Sequence, residues 1–214
     1  MRGCCAVLVA IIGLAGLLGG CGGSGKKTAS SKASFAQREK ALQARLRALL
    51  PLRGRLLRTN ELAGFHPAGH RRPFGYDAAS WLQALEIPQH ERAREARRLN
   101  QLGFQGGIEE LLRPTKRAGE GISLVEQFPS NTAARAELAA QVHVATGNGA
   151  TEFPVGGIPG ARGFAEPGDI NVAFADGRCF YLVGLAFSPG SPSVPSRGDV
   201  IAAAKRLFTR LHRA

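Results

Sequence analysis

Asp169-Ile-Asn-Val-Ala-Phe-Ala-Asp-Gly-Arg-Cys-Phe-Tyr-Leu-Val-Gly-Leu-Ala-Phe187 is the stretch whose reading decides the fold of this 214-residue chain. Ile170, Val172 and Phe174 alternate up to Asp176 and Gly177, a pair that tolerates positive φ and so fits a two-residue type I′ turn. That loop sets Phe174 opposite Cys179, Val172 opposite Tyr181 and Ile170 opposite Val183, with Ala173 opposite Phe180 on the reverse side. Both sides are largely apolar. The hairpin is therefore expected to be central in its sheet, covered on one face and at least partly on the other.

Downstream, Ser188 to Arg197 is a Pro, Gly and Ser loop, and Ser196 with Asp199 three residues on resembles a capping box. The helix that it opens carries Val200, Ala203, Leu207 and Leu211 as a core-facing stripe. Upstream, Phe153 to Ile158 is a strand broken by Pro159 and Gly160. Two more strands, Phe104 to Leu112 and Gly121 to Phe128, flank a charged connection. On the second, Ile122, Leu124 and Phe128 share a side with Glu126, the odd acidic member.

Helices are expected after Asp77 (Trp81, Leu82, Leu85), from Pro88 to about Leu102 with Glu and Arg on its wet side, and from Ser130 or Asn131 to about Ala145. Arg55 to Phe65 reads as a first strand or a turn-rich entry, and His66 to Tyr76 as a loop. Two strands followed by a helix occur twice, at Phe104 to Ala145 and Ile170 to Arg213, which suggests a loose internal duplication. The expected architecture is α+β, helices packed on an antiparallel sheet of about five strands, in one domain over residues 55–214.

The N-terminus reads as an address. Met1 and Arg2 give a positive start, and Ala6 to Leu18 is uncharged and mostly apolar. Its length suits a signal-peptide core of roughly 7–15 residues and falls short of the about 20 that a spanning helix needs. Leu18-Gly19-Gly20-Cys21 resembles a bacterial lipobox, with cleavage between Gly20 and Cys21. The resemblance implies a signal peptide over residues 1–20, a diacylglyceryl thioether on Cys21, and membrane lipid as its first partner. Two acyl chains hold a protein on a bilayer stably where one is marginal.

Residues 21–33 are Gly, Ser, Lys and Thr rich, a composition that predicts a flexible tether. Residues 34–54 read as a basic amphipathic arm, with Phe35, Leu42, Leu46 and Leu49 along one side. Arg38, Lys40, Arg45 and Arg47 lie elsewhere on it, facing anionic lipid or acidic wall polymer in one reading and solvent in another. The chain holds 28 Lys and Arg against 16 Asp and Glu, and much of that excess sits in the tether and arm. Nucleic acid is not an expected partner, since the arm lacks the interleaved aromatics that stack on bases.

Few residues suggest chemistry. Gly20, Gly25 and Lys26 have phosphate-loop spacing, but Lys27 stands where a Ser or Thr would hold magnesium. His66 and His70 share no helix face and no third ligand stands nearby, so no metal and no cofactor is expected. A hydrolase would need Ser123, or another serine, brought in space to His143 or His212. Cys179, left without a partner once Cys21 is modified, reads as a small buried hydrophobe. The best recognition candidate is the loop Gly156 to Gly163: Gly160 and Gly163 let backbone approach a ligand, and Arg162 suits a carboxylate or phosphate.

The passage Phe153-Pro-Val-Gly-Gly-Ile-Pro-Gly-Ala-Arg-Gly-Phe164, running into the hairpin at Asn171, resembles a pattern in small, uncharacterised lipoproteins of actinobacteria. The layout is also similar to the PsbP-like α/β sandwich of some mycobacterial lipoproteins. The resemblance implies a place on the outer face of the cytoplasmic membrane and brings no catalytic residue. The function expected from sequence is a membrane-anchored, extracytoplasmic, non-enzymatic binding or accessory module. The alternatives are an envelope hydrolase with a spatially assembled Ser and His, or a ligand-sensing lipoprotein partnering a membrane protein.

Overall fold

The computed structural model describes residues 30–68, 73–115, 119–187 and 196–213. At its centre are β7 (Asp169–Asp176) and β8 (Cys179–Ala186), joined by Gly177 and Arg178. The turn therefore lies one residue later than the Asp-Gly pair suggests. Gly177 takes φ +54° and Arg178 stays negative, as in a Gly-X hairpin loop. Phe174 consequently faces Tyr181, Val172 faces Val183 and Ile170 faces Leu185, correcting the expected partners by two residues. A shift of two preserves the alternation, so every side chain stays on its expected face.

Both faces of that hairpin are covered. Val172, Phe174, Tyr181, Val183 and Leu185 join one core, with Leu49, Leu52, Leu62 and the stripe Val200, Ala203 and Leu207 of α5 (Arg197–Leu211). Ala173 and Phe180 join the other, with Trp81 of α2 (Ala78–Ala84), Leu99 of α3 (Gln89–Gln101) and Leu138 of α4 (Asn131–Gly147). The molecule is thus a sheet between two helical layers. Helices α4 and α5 pack on opposite faces of the same two strands, β7 and β8. That arrangement leaves the apparent duplication as a repeat of order only.

The sheet is antiparallel throughout and larger than the expected five strands, with eight among the described residues. Beside β8 lie β4 (Glu120–Gln127), then β3 (Gly106–Pro114), which carries β1 (Phe65–Pro67) along one half and β2 (Phe74–Gly75) along the other. On the far side β7 pairs with β6 (Arg162–Glu166), and β6 with the edge strand β5 (Thr151–Pro154). Strand β6 was not anticipated, and β5 ends at Pro154 rather than Ile158. Arg55 to Gly64 holds turns and no strand, the second of the two sequence readings.

The caps read from sequence form. Asp77 accepts from Ser80 N–H at 2.8 Å and Ser196 accepts from Asp199 N–H, each in a reciprocal capping box, and Ser130 caps α4. Pro88 serves as the N-cap of α3 rather than its first residue. Helix α1 spans Ser30–Leu49, beginning inside the stretch whose composition predicts a coil, and a 3-10 turn follows at Leu50–Arg55. Leu49 is buried in the core, Leu42 and Leu46 are half-buried and Phe35 is 70% exposed, so burial along the helix rises toward its C-terminal end. Among the described residues no helix is long and apolar enough to cross a membrane.

Candidate functional site

Helix α4 presents Arg135, Leu138, Val142 and Thr146 on successive turns, and these side chains form one wall of a groove of about 620 Å³. The opposite wall is built by Glu152 of β5, the Pro159–Gly160 corner and Arg162 of β6, with Ala175 of β7 at the base. Leu138 is buried, Val142 and Ala175 are half-buried, and Arg135, His143, Glu152 and Arg162 are exposed at the rim. The groove thus has an apolar floor and a charged mouth. Its size lies within the roughly 300–1,000 Å³ usual for small-molecule sites.

Arg162 donates from Nη1 to Glu152 Oε1 at 2.6 Å, across the β5–β6 pair. Register explains the meeting: Arg162 is opposite Pro154 and Ala173, which turns its side chain toward the α4 face. Gly160 takes φ +70° with open space around its α-carbon, so backbone at that corner is accessible. Gly163 is different. It lies on the other face, where the Phe153 ring occupies the place a β-carbon would need. Of the three residues expected in recognition, Arg162 and Gly160 line the groove and Gly163 packs the core. Arg135 and Glu152 were not foreseen. The only local signal for Arg135 is its spacing of three and seven residues from Leu138 and Val142.

What holds the α4 wall in place is a buried polar network on its inner side. Glu137 is fully buried, pairs with Arg98 of α3, and accepts from Gln141 Nε2 at 2.7 Å. Arg98 Nε also bonds Glu95 Oε2 at 2.8 Å. Arg98, expected on the wet side of α3, instead staples it to α4, and Glu95, expected there too, holds the guanidinium from its own helix. Beside them Glu126 accepts from Trp81 Nε1 at 2.6 Å, its second oxygen unpartnered among the described residues. Burial, and then the neighbouring Glu137 carboxylate, push the Glu126 carboxyl up to about 8. Burial likewise raises Glu109, on β3, to about 8 and Asp169 to about 7.

The described residues do not assemble a hydrolytic centre around the histidines that sequence singled out. Ser123 is buried and its hydroxyl accepts from Leu57 N–H at 2.9 Å. His212 lies against Phe208 O through Nδ1 and 3.4 Å from Asp176 through Nε2, and His143 stands at the groove rim. Cys179 is buried, with its thiol raised by desolvation. Among the described residues no group of three or more His, Cys, Asp or Glu is placed to hold a metal ion. Gly20, Cys21 and His70 lie outside the described residues.

No family model matches the chain, and no curated protein matches it. Among solved structures it is similar to the extracellular domain of PknH from Mycobacterium tuberculosis. The two are 11% identical with a TM-score of 0.47, over 75% of this chain and 94% of that one. A likeness of that size says nothing of activity, ligand or address.

Proposed function

We propose that the chain is a lipoprotein held by Cys21 on the extracytoplasmic side of a cell membrane, and that its α+β body is a binding module. The single observation that carries the binding role is the groove beside α4, where apolar side chains underlie a rim holding two arginines against one glutamate. Two helices and three strands contribute to the groove or its support, so it is positioned by rigid elements. The lipobox-like Leu18 to Cys21 supports the anchor.

In this reading α1 is a basic spacer between anchor and body. Arg38 and Arg45 lie seven residues apart on one line of the helix, and Lys40 and Arg47 on nearly the opposite line, all four exposed. A helix with cations on two opposite lines is attracted to anionic lipid or wall polymer along either line, at up to about 1 kcal/mol per residue close to a charged surface.

The test is fractionation followed by co-purification. Wild type is expected in the membrane fraction, and Cys21→Ala to be released or left unprocessed; normal processing with continued attachment contradicts the anchor. From mild detergent, wild type is expected to retain a species that the Arg135→Gln/Arg162→Gln variant loses. Identical co-purification from both contradicts the groove.

A further inference from the structure

We infer that the groove beside α4 takes an amphipathic monocarboxylate, its acid head on Arg162 and its apolar tail along Leu138, Val142 and Ala175. This rests on reading the groove as the binding site and adds the chemical class of the ligand. Glu152 is then the internal stand-in for the head, occupying Arg162 when no ligand is bound.

Four observations converge. Arg162 already binds a carboxylate, through one nitrogen only, at 2.6 Å. A guanidinium offers five N–H donors in a planar fork that matches a carboxylate with two, so a second, better-oriented acid can replace the first. The pair is also solvent-exposed, 58% for Arg162 and 38% for Glu152, so it is held weakly and exchanges readily.

Charge favours an incoming anion. Among the described residues that line the mouth, Arg135 and Arg162 stand against one acid, Glu152. The floor sets the rest of the ligand. Leu138 and Val142 are one turn apart on α4 and Ala175 lies opposite, so a bound molecule meets hydrocarbon directly below its charged end. A small inorganic anion would leave that floor wet, and an uncharged apolar molecule would leave Arg162 with Glu152.

The experiment titrates the chain from residue 21 onward, carrying Cys21→Ser so that no covalent lipid competes, with decanoate below its micellar concentration, decanol and inorganic phosphate. Calorimetry gives affinity and backbone amide shifts of α4 give location. Decanoate is expected to bind one to one with shifts along α4, and decanol and phosphate to bind at least about tenfold more weakly. Arg162→Gln is expected to weaken decanoate about tenfold, and Glu152→Gln to tighten it several-fold by removing the stand-in. Equal binding of decanol shows that no head is recognised, and equal binding of phosphate shows that no tail is; either overturns the inference. So does decanoate affinity unchanged in Arg162→Gln, or decanoate that fails to bind. If decanoate fails while the double arginine variant still loses a co-purifying species, the groove remains a binding site for another class of ligand.

Discussion

The indole N–H of Trp81 donates to Glu126 over 2.6 Å inside the core formed by α2, α3, α4 and the sheet. Both side chains are buried, and Glu126 sits between Leu124 and Phe128 on the same strand face. A carboxyl in that setting is held toward its protonated form, first because burial disfavours its charged form and then because ionising it would place a second anion beside Glu137.

A pH dependence follows. Folded Glu126 keeps its proton up to about 8, whereas the unfolded chain releases it near the ordinary carboxylate value. Between those limits the folded state binds more protons, so the contribution of Glu126 falls as pH rises through that window. Glu126→Gln keeps an acceptor for Trp81 and cannot ionise. Urea denaturation at pH 5 and pH 8.5, followed by Trp81 fluorescence, is expected to show a loss with pH in wild type that is smaller in the variant by on the order of a few kcal/mol. An identical loss in both would mean that Glu126 ionises freely in the fold.

Arg210 forms the clasp between α5 and the chain entering the sheet. It bonds Glu61 at 2.6 Å and 3.0 Å, and the carbonyls of Gly54 and Leu56 at 2.6 Å each. Arg206 adds a bond to the Glu61 carbonyl. Arg210→Ala leaves a largely buried Glu61 carboxylate with the Arg58 N–H and without its cation, and removes the partner of the Leu56 carbonyl; it is expected to destabilise by about 1–3 kcal/mol. Arg210→Lys is expected to recover only part, since an ammonium cannot reproduce the fork. Denaturation midpoints of the three proteins decide it, and a lysine variant equal to wild type would show that charge alone suffices.

Gly160 and Gly163 separate exposure from packing. Gly163→Ala drives a methyl into the Phe153 ring, and is expected to destabilise by about 1–3 kcal/mol. Gly160→Ala meets open space and costs only the strain of a left-handed residue, about 1–2 kcal/mol, with the groove otherwise intact. Thermal unfolding alongside decanoate binding checks both: each variant is expected to lower stability while its folded fraction binds decanoate normally, and a loss of binding in Gly163→Ala beyond its unfolded fraction would show that the Phe153 packing also shapes the groove.

The hairpin faces were legible because alternation survives a two-residue slip, so Phe174 and Tyr181 were assigned to the right core with the wrong partners. The caps at Asp77, Ser130 and Ser196 were legible because they are local hydrogen bonds. Strand β6 was not, since Arg162-Gly-Phe-Ala-Glu166 follows a Pro-Gly corner and takes its order from β5 and β7 on either side. Glu126 stood out as an acid on an apolar face, but Glu95 and Arg98 looked like ordinary wet-side charges. The buried partner of Arg98, Glu137, lies on another helix. The groove was half legible for the same reason: Arg162 and Gly160 belong to one loop, while Arg135 and Glu152 reach it from separate elements.

The most direct measurement is an experimental structure of the mature chain with decanoate. The account predicts the carboxylate within hydrogen-bond distance of the Arg162 guanidinium, the alkyl chain against Leu138 and Val142, and Glu152 turned away. Decanoate bound elsewhere, or an empty groove at saturating ligand with the Arg162 and Glu152 pair intact, would contradict it.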